Sequence, residues 1–239
     1  MRYLVISDVH SNYVALERVL EESPEYDKVI NLGDMLGLMG YPSETLDFMM
    51  EKVEHNLMGN HDFAIIVKDE GHVNSEELSK FELEYTKDRL SEEQVNFVKS
   101  LDSMEVMDDM VMCHAMPHPA YATGYKPGNL GIEKKDYTEE APYIKKDFGE
   151  GTIVLHGHTH EQGFLDTSKF GHDVKFLNPG SVGQPMGKAE YAIIDTETEE
   201  TSLKSVSYDE RIIKERLKEL DIPVRFWTKT TTRQLGYSF

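Results

Sequence analysis

Three apolar runs near the N-terminus each stop at a cluster of polar residues, and this recurrence restricts the fold more than any other feature of the chain. Arg2 to Ile6 is β-branched and apolar and runs into Ser7-Asp8-Val9-His10-Ser11-Asn12. Behind it Val14, Leu16, Val19 and Leu20 recur at near-helical spacing, so the unit reads as strand, loop, helix. The unit then repeats. Lys28 to Leu32 is a strand ending at Gly33-Asp34, followed by a loop broken by Gly and Pro and a helix capped by Ser43 that runs through Met50. A third strand over Val53 to Met58 ends at Gly59-Asn60-His61-Asp62. Open α/β sheets place ligands outside the carboxyl ends of their strands, so the three polar clusters are expected to converge.

Between Asn74 and Leu101 the pattern turns helical and charged, with Ser91-Glu92-Glu93-Gln94 marking a helix start, and a helical pair packed on the sheet is expected. The second half carries short strands at Met104 to Val106, Met110 to Cys113, Thr152 to Leu155, Gly163 to Leu165, Val174 to Leu177, Tyr191 to Ile194 and Ser202 to Val206. Their meander-like succession suits a second sheet. Ala115 to Tyr137 lacks periodicity, and a loop that long in a compact domain is usually functional, so it is expected to overhang the site. Asp209 to Leu220 is helical again, before a tail with Arg225, Trp227 and Arg233.

At 239 residues the chain suits one sizeable domain, taken as residues 1–239. It holds no apolar run approaching the ~20 residues that span a bilayer and no signal-peptide pattern, so a soluble, cytoplasmic protein without a membrane partner is expected. Cys113 is the only cysteine, which rules out an intrachain disulfide; its thiol reads as a small buried hydrophobe. With 25 Lys and Arg against 44 Asp and Glu, the formal charge of −19 opposes binding to nucleic acid or anionic lipid.

Asp8 and His10 sit two apart at a strand end, where both side chains can point the same way and chelate one ion. Asp-x-His alone is as easily a loop cap, and Gly33-Asp34 alone is ordinary turn chemistry. Their succession after consecutive strands strengthens both. Asn60, His114, His158 and His160 add carboxamide and imidazole donors, a mixture suited to Mn, Fe, Zn, Co or Ni and poorly suited to calcium.

Taken in order, Asp8-x-His10, Gly33-Asp34, Gly59-Asn60-His61-Asp62, His114 and Gly157-His158-Thr159-His160 resemble the motifs of the calcineurin-like metallophosphoesterases. Asn178-Pro179-Gly180-Ser181-Val182-Gly183-Gln184-Pro185 and Tyr208-Asp209 with its following helix resemble the small bacterial and archaeal phosphodiesterase branch. The resemblance implies an α/β (α+β) fold, a four-layer αββα sandwich of two mixed β-sheets flanked by helices. It also implies two divalent transition-metal ions, manganese favoured, with Fe, Zn, Ni or Co as alternatives. One ion would be held by Asp8, His10, Asp34 and His160 and the other by Asp34, Asn60, His114 and His158, with Asp34 bridging. His61 would face the phosphate with Asn60 and donate a proton to the leaving oxygen, with Asp62 orienting it. Two ions about 3.5–4 Å apart clamp the entering and leaving oxygens of an in-line displacement, with a bridging hydroxide as nucleophile. The sequence departs from the family pattern at Ser11, Ala115 and Glu161-Gln162, leaving every ligand position intact.

The resemblance therefore implies a phosphodiesterase or phosphomonoesterase, and the lack of a basic nucleic-acid track favours a small nucleotide-like substrate. A protein Ser/Thr phosphatase and a non-catalytic metal-binding scaffold are the alternatives, and dimerisation is left open. His118, four residues after His114 and near Tyr121 and Tyr125, is a candidate substrate contact. His55, His72, His156 and His172 read as surface or satisfied core histidines. Asn178 to Pro185 reads first as a turn, with support of the metal site as the functional alternative. The twelve methionines read as core fillers.

Overall fold

Along β1 (Arg2–Ile6) the side chains alternate between two apolar environments: Tyr3 and Val5 enter one buried cluster, Leu4 and Ile6 another. That period of two is what a strand buried on both faces produces, and it places β1 at the centre of a layered structure. The computed structural model describes residues 1–37, 39–67, 84–115 and 137–222.

Its described part contains two five-stranded mixed sheets. The first has the order β10-β9-β1-β2-β3, with β2 (Lys28–Asn31) and β3 (His55–Asn56) parallel to β1, β9 (Lys188–Asp195) antiparallel to β1, and β10 (Glu200–Ser207) antiparallel to β9 at the edge. The second has the order β4-β5-β6-β8-β7. There β5 (Met110–Cys113), β6 (Thr152–His156) and β8 (Val174–Asn178) are parallel, while β4 (Met104–Met107) and β7 (Gly163–Asp166) run antiparallel at the edges.

The sheets face each other through Tyr3, Val5, Ile30, Leu32, Met110, Met112, Leu155, Leu177, Ala192 and Ile194. On the outer face of the first sheet, Leu4, Ile6 and Val29 pack against α1 (Tyr13–Glu22), α2 (Pro42–Lys52) and the final helix α6 (Glu210–Glu219) through Leu16, Val19, Leu46, Met49, Ile213 and Leu217. On the outer face of the second, Val111, Cys113, Val154 and Phe176 meet Ala141 and Ile144 of α5 (Tyr137–Phe148). These are the four layers of the expected αββα sandwich. Two further helices are α3 (Asn60–Val67) and α4 (Glu92–Ser100).

Several local expectations need correction. β9 and β10 join the first sheet beside β1 rather than the second, and the second sheet is built on parallel strands instead of a meander. Alternation records that a strand is buried and is silent on which sheet receives it. The cap of α2 is Tyr41 with Pro42 opening the helix, and Ser43 lies in the first turn, where its hydroxyl bonds Gln94. The third strand shrinks to two residues, and Asn60-His61-Asp62 opens α3 instead of lying in a loop. Of the helical pair, residues 84–87 are helical and α4 follows, while residues 68–83 lie outside the described residues. The long loop is described only at its ends, and α5 begins at Tyr137. The tail beyond Ile222, with Arg225, Trp227 and Arg233, also falls outside the description.

Ser91 caps α4 as expected: its hydroxyl accepts from Gln94 N at 3.2 Å and the Gln94 side chain accepts from Ser91 N at 3.0 Å. Ser91→Ala removes one of these two bonds and is expected to lower unfolding free energy by about 1 kcal/mol in urea denaturation. A loss under about 0.3 kcal/mol would show that the Gln94 contacts to Ser43 and Asp47 hold this helix without its cap.

Candidate metal centre

The carboxyl ends of β1, β2, β5 and β6 lead into the loops that carry Asp8 and His10, Asp34, His114, and His158 and His160 respectively, and β3 leads into Asn60 at the start of α3. Five of these residues sit where ordinary side chains seldom go: Asp8, His10, Asp34, His158 and His160 have φ of 55, 50, 53, 67 and 58°, and Ser11 beside them has 61°. A left-handed conformation in a non-glycine residue costs on the order of 1–3 kcal/mol and persists only where the surroundings over-determine it. Asp and His tolerate it better than most residues, because a short polar side chain bonds locally.

The surroundings here are tight. A Cβ on Gly157 would collide with Ser7 Oγ and Asp8 Oδ2, and one on Gly59 with the backbone and carboxylate of Asp34. Both glycines are required by close approach of two loops. Asp34 Oδ1 accepts the His61 amide at the start of α3 at 2.8 Å, and Asp8 Oδ2 accepts the His158 amide at 3.0 Å. Each carboxylate thus uses one oxygen to lock a neighbouring loop and presents the other to the site.

That second oxygen faces imidazoles. His160, His10 and His114 bring Nε2 to 3.1, 3.8 and 4.0 Å from Asp8 Oδ1. His114 and His10 bring Nε2 to 3.2 and 4.0 Å from Asp34 Oδ2. Asn60 Oδ1 lies 3.1 Å from His114 Nε2 and 3.0 Å from His158 Nδ1. One ligand atom each from Asp8, His10 and His160 fall within 4.8 Å of one another, as do those of His10, Asp34 and His61 and those of Asp34, His114 and His158. All seven expected ligands, with His61, therefore meet in one place.

The donor set fits divalent cations on three grounds. Asp8 Oδ1 is buried and accepts no hydrogen bond although three imidazoles surround it. His114 Nε2 faces Asn60, Asp34 and Asp8, more acceptors than one N–H can serve, and its Nδ1 is committed to the Leu32 carbonyl at 2.8 Å. Finally, the protonation states suit ligation. Burial pushes His10 down to about 3 and His158 down to about 4, in each case with help from a neighbouring imidazole, so both are neutral with a lone pair at neutral pH. Burial would also lower His114, but Asp34 and Asp8 outweigh it and hold the ring up at about 9; a cation in this position takes the place of that proton. Burial opposes ionisation of Asp8 and Asp34, and the surrounding imidazoles, His160 for the first and His114 for the second, nevertheless keep both below the usual carboxylate range.

Asp62 is wholly buried and accepts from Leu36 N and Gly59 N, each at 2.9 Å. It joins the loop after Asp34 to the turn before Asn60. Burial first, then the nearby Asp34, raises its carboxyl to about 6. His61 is partly exposed, with its ring centroid 4.7 Å from that of His10. His118 lies outside the described residues, as do His72, Tyr121 and Tyr125. Of the remaining histidines, His55 bonds Glu105 at 2.9 Å and His156 is buried against Tyr137. Cys113 is buried, its thiol donating weakly to Leu155 O, and Met35, Met39 and Met58 fill space behind the loops.

Two supporting contacts lie behind the cluster. Ser181 Oγ donates to the Asp8 carbonyl at 2.8 Å, in keeping with the supporting role that is the functional alternative for Asn178 to Pro185, and the Gln162 side-chain amide reaches Pro179 O, Tyr191 O and Lys204 O at 2.8–3.1 Å. In the sequence Gln162 stands out only as a departure from the family pattern.

The fold and the donor cluster together are those of metal-dependent phosphoesterases. The profile of the calcineurin-like phosphoesterase superfamily domain matches residues 1–199, and the chain belongs to that family. An uncharacterized protein of Methanocaldococcus jannaschii is 30% identical over 250 aligned positions, covering 90% of this chain and 93% of that protein. Among solved structures, a metallophosphoesterase from Sphaerobacter thermophilus is 26% identical with a TM-score of 0.74, over 96% of this chain and 98% of that one. A hypothetical protein from Pyrococcus horikoshii shares the fold at 21% identity, with a TM-score of 0.75 over 96% of this chain and 97% of that one. No helix among the described residues is long and apolar enough to cross a membrane.

Asp62→Ala leaves the buried Leu36 and Gly59 amides without an acceptor, at about 1–3 kcal/mol for each. Chemical denaturation of the metal-stripped protein is expected to show a loss of at least 2 kcal/mol or so, on that scale. A loss under about 0.5 kcal/mol would mean that water reaches both amides and that Asp62 does not tie the two loops.

Proposed function

We propose that this chain is a dinuclear metal-dependent phosphoesterase that hydrolyses a phosphodiester, or a phosphomonoester, of small nucleotide-like molecules. The observation that carries the reading is the sharing of Asp34, which falls in two donor groups, one with His10 and His61 and one with His114 and His158; its Oδ2 lies 3.2 Å from His114 Nε2 and 4.0 Å from His10 Nε2. Asp8, His10, Asp34 and His160 are assigned to one cation and Asp34, Asn60, His114 and His158 to the other; the mixed carboxylate, carboxamide and imidazole set leaves Mn, Fe, Zn, Co and Ni open, and manganese is favoured on the family resemblance. When bound, such ions supply Lewis-acid polarisation of the phosphoryl group and a nucleophile at neutral pH.

The rest of the chemistry belongs to the side chains. His61, partly exposed beside His10, is assigned the proton donated to the leaving oxygen. Asn60 and His61 begin α3, so the positive end of the helix dipole favours an anionic phosphoryl group there, although the His61 amide is itself taken by Asp34. Asp62 fixes the turn from which both residues project. His118 is kept as a substrate contact from the long loop. The formal charge of −19 supports a small substrate over a polyanion, because each additional phosphate brought near the surface meets net repulsion. The reading takes residues 1–239 as one catalytic domain acting in the cytoplasm.

The test is hydrolysis of a chromogenic phosphodiester and its monoester counterpart by metal-stripped protein, with Mn, Ni, Zn or Mg added back. Metal-dependent turnover is expected, abolished by Asp34→Ala and reduced roughly 10²–10⁴-fold by His61→Ala, the range for loss of a general acid. Stoichiometric metal binding without turnover of either ester would sink the enzymatic assignment and favour a scaffold.

A further inference from the structure

Of the six strands that run parallel within their sheets, five end in loops bearing candidate ligands; the sixth, β8, ends at Asn178-Pro179-Gly180-Ser181-Val182-Gly183 and bears none. We propose that Asn178 is a positioning residue for metal binding: with the turn it opens, it sets the separation of the Asp8 loop from the His158 and His160 loop. This rests on the assignment of those residues as ligands.

One side of the turn holds the histidine loop. Asn178 is 2% exposed, and its Nδ2 lies 3.0 Å from both Gly157 O and Thr159 Oγ1, the acceptors that flank His158. Its two N–H groups match those two acceptors, and its Oδ1 accepts from Gly180 N at 2.9 Å, which fixes the amide orientation. The other side holds the aspartate loop. Ser181 Oγ and Gly183 N both donate to Asp8 O, at 2.8 and 3.0 Å, and Val182 N donates to Ser7 O at 3.1 Å. A Cβ on Gly183 would collide with the Val9 carbonyl, so the turn lies directly against the loop it grips.

The residues between these grips are the strained ones. Asp8, His158 and His160 have φ of 55, 67 and 58°, and the two loops also meet directly, through His158 N to Asp8 Oδ2 at 3.0 Å, His160 Nε2 to Asp8 Oδ1 at 3.1 Å and His10 Nε2 to His160 Nε2 at 3.2 Å. Strained conformations relax when their restraints are cut. With the Asn178 amide gone, His158 and His160 are free to settle into ordinary φ and move away from Asp8. The bland alternative, a turn that merely closes the sheet edge, predicts lower stability with the donors unmoved.

The two are separated by titrating manganese calorimetrically into metal-stripped protein, with no substrate present, beside thermal unfolding of the same samples. Asn178→Asp keeps the acceptor for Gly180 N but sets an oxygen against Gly157 O and Thr159 Oγ1; Ser181→Ala removes the side-chain bond of the other grip, leaving its two backbone bonds, and serves if the first variant does not fold. Each is expected to weaken manganese binding about tenfold, the lower end for loss of an outer-shell partner, in protein that remains folded. Ser91→Ala, destabilising but remote, is expected to leave that affinity unchanged. Unchanged affinity in folded Asn178→Asp or Ser181→Ala would overturn the positioning role and leave the phosphoesterase assignment standing. Wild-type protein that binds no manganese in the same titration would remove the ligand assignment and the positioning role with it.

Discussion

Two carboxylates, Asp8 and Asp34, are buried side by side with 0% and 1% of their surface exposed, and the rest of the site follows from that. A lone buried carboxylate is costly unless positive charge and hydrogen-bond donors surround it, and a pair is worse. The chain meets the demand twice over. One oxygen of each aspartate takes a backbone amide, from His158 or from His61. The other faces imidazoles that enter from three different loops, so the neutralising groups come from strands far apart in sequence.

That arrangement explains why the backbone is strained where it is. Extended strands deliver side chains alternately to opposite faces, whereas a site at the sheet edge needs several donors turned toward one point. A single left-handed residue after a strand redirects the chain sharply. Asp8, His10 and Asp34 do this after β1 and β2, and His158 and His160 do it after β6. The restraining bonds come mainly from main-chain groups and small polar side chains: Gly33 O accepts from Asp8 N, Asp34 O from His10 N and Met35 O from Ser11 N. The β1 and β2 loops therefore hold each other, as two hands of one grip, and Asp62 and the β8 turn extend the grip to the loops that follow β3 and β6.

Sequence reading reached the site more fully than the topology, for a physical reason. The candidate ligands stand in short clusters directly after strands, so Asp8, His10, Asp34, Asn60, His158 and His160 announce themselves locally. His114 is a single residue behind the apolar run Met110 to Cys113, a weaker local signal that the ordered set of motifs reinforces. Most strands were legible because apolar runs bounded by turns read alike wherever they pair. Their partners were not: β9 and β10 return to β1 across a long stretch of chain, and nothing local distinguishes that from the second sheet. Helix α5 went unread because Pro142 interrupts its pattern, although a proline near the first turns of a helix breaks few of its bonds. Backbone acceptors such as Leu32 O and Gly157 O cannot be seen in a sequence at all.

The sign of the charge deserves weighing against distance. A net −19 spread over the surface acts on an approaching ligand through ionic solution, where fields fade over roughly 8 Å at physiological salt. Inside the cluster the relevant charges lie 3–4 Å apart and are shielded from water, so they act several times more strongly for the same separation of sign. Two divalent ions bound as proposed would outweigh the carboxylates of Asp8 and Asp34 and leave a local excess of positive charge for a single phosphoryl group at the mouth. A long polyanion would meet the acidic surface along its whole length before any one phosphate reached that mouth, so under the proposed reading the same charge pattern would favour a small ester over an extended one.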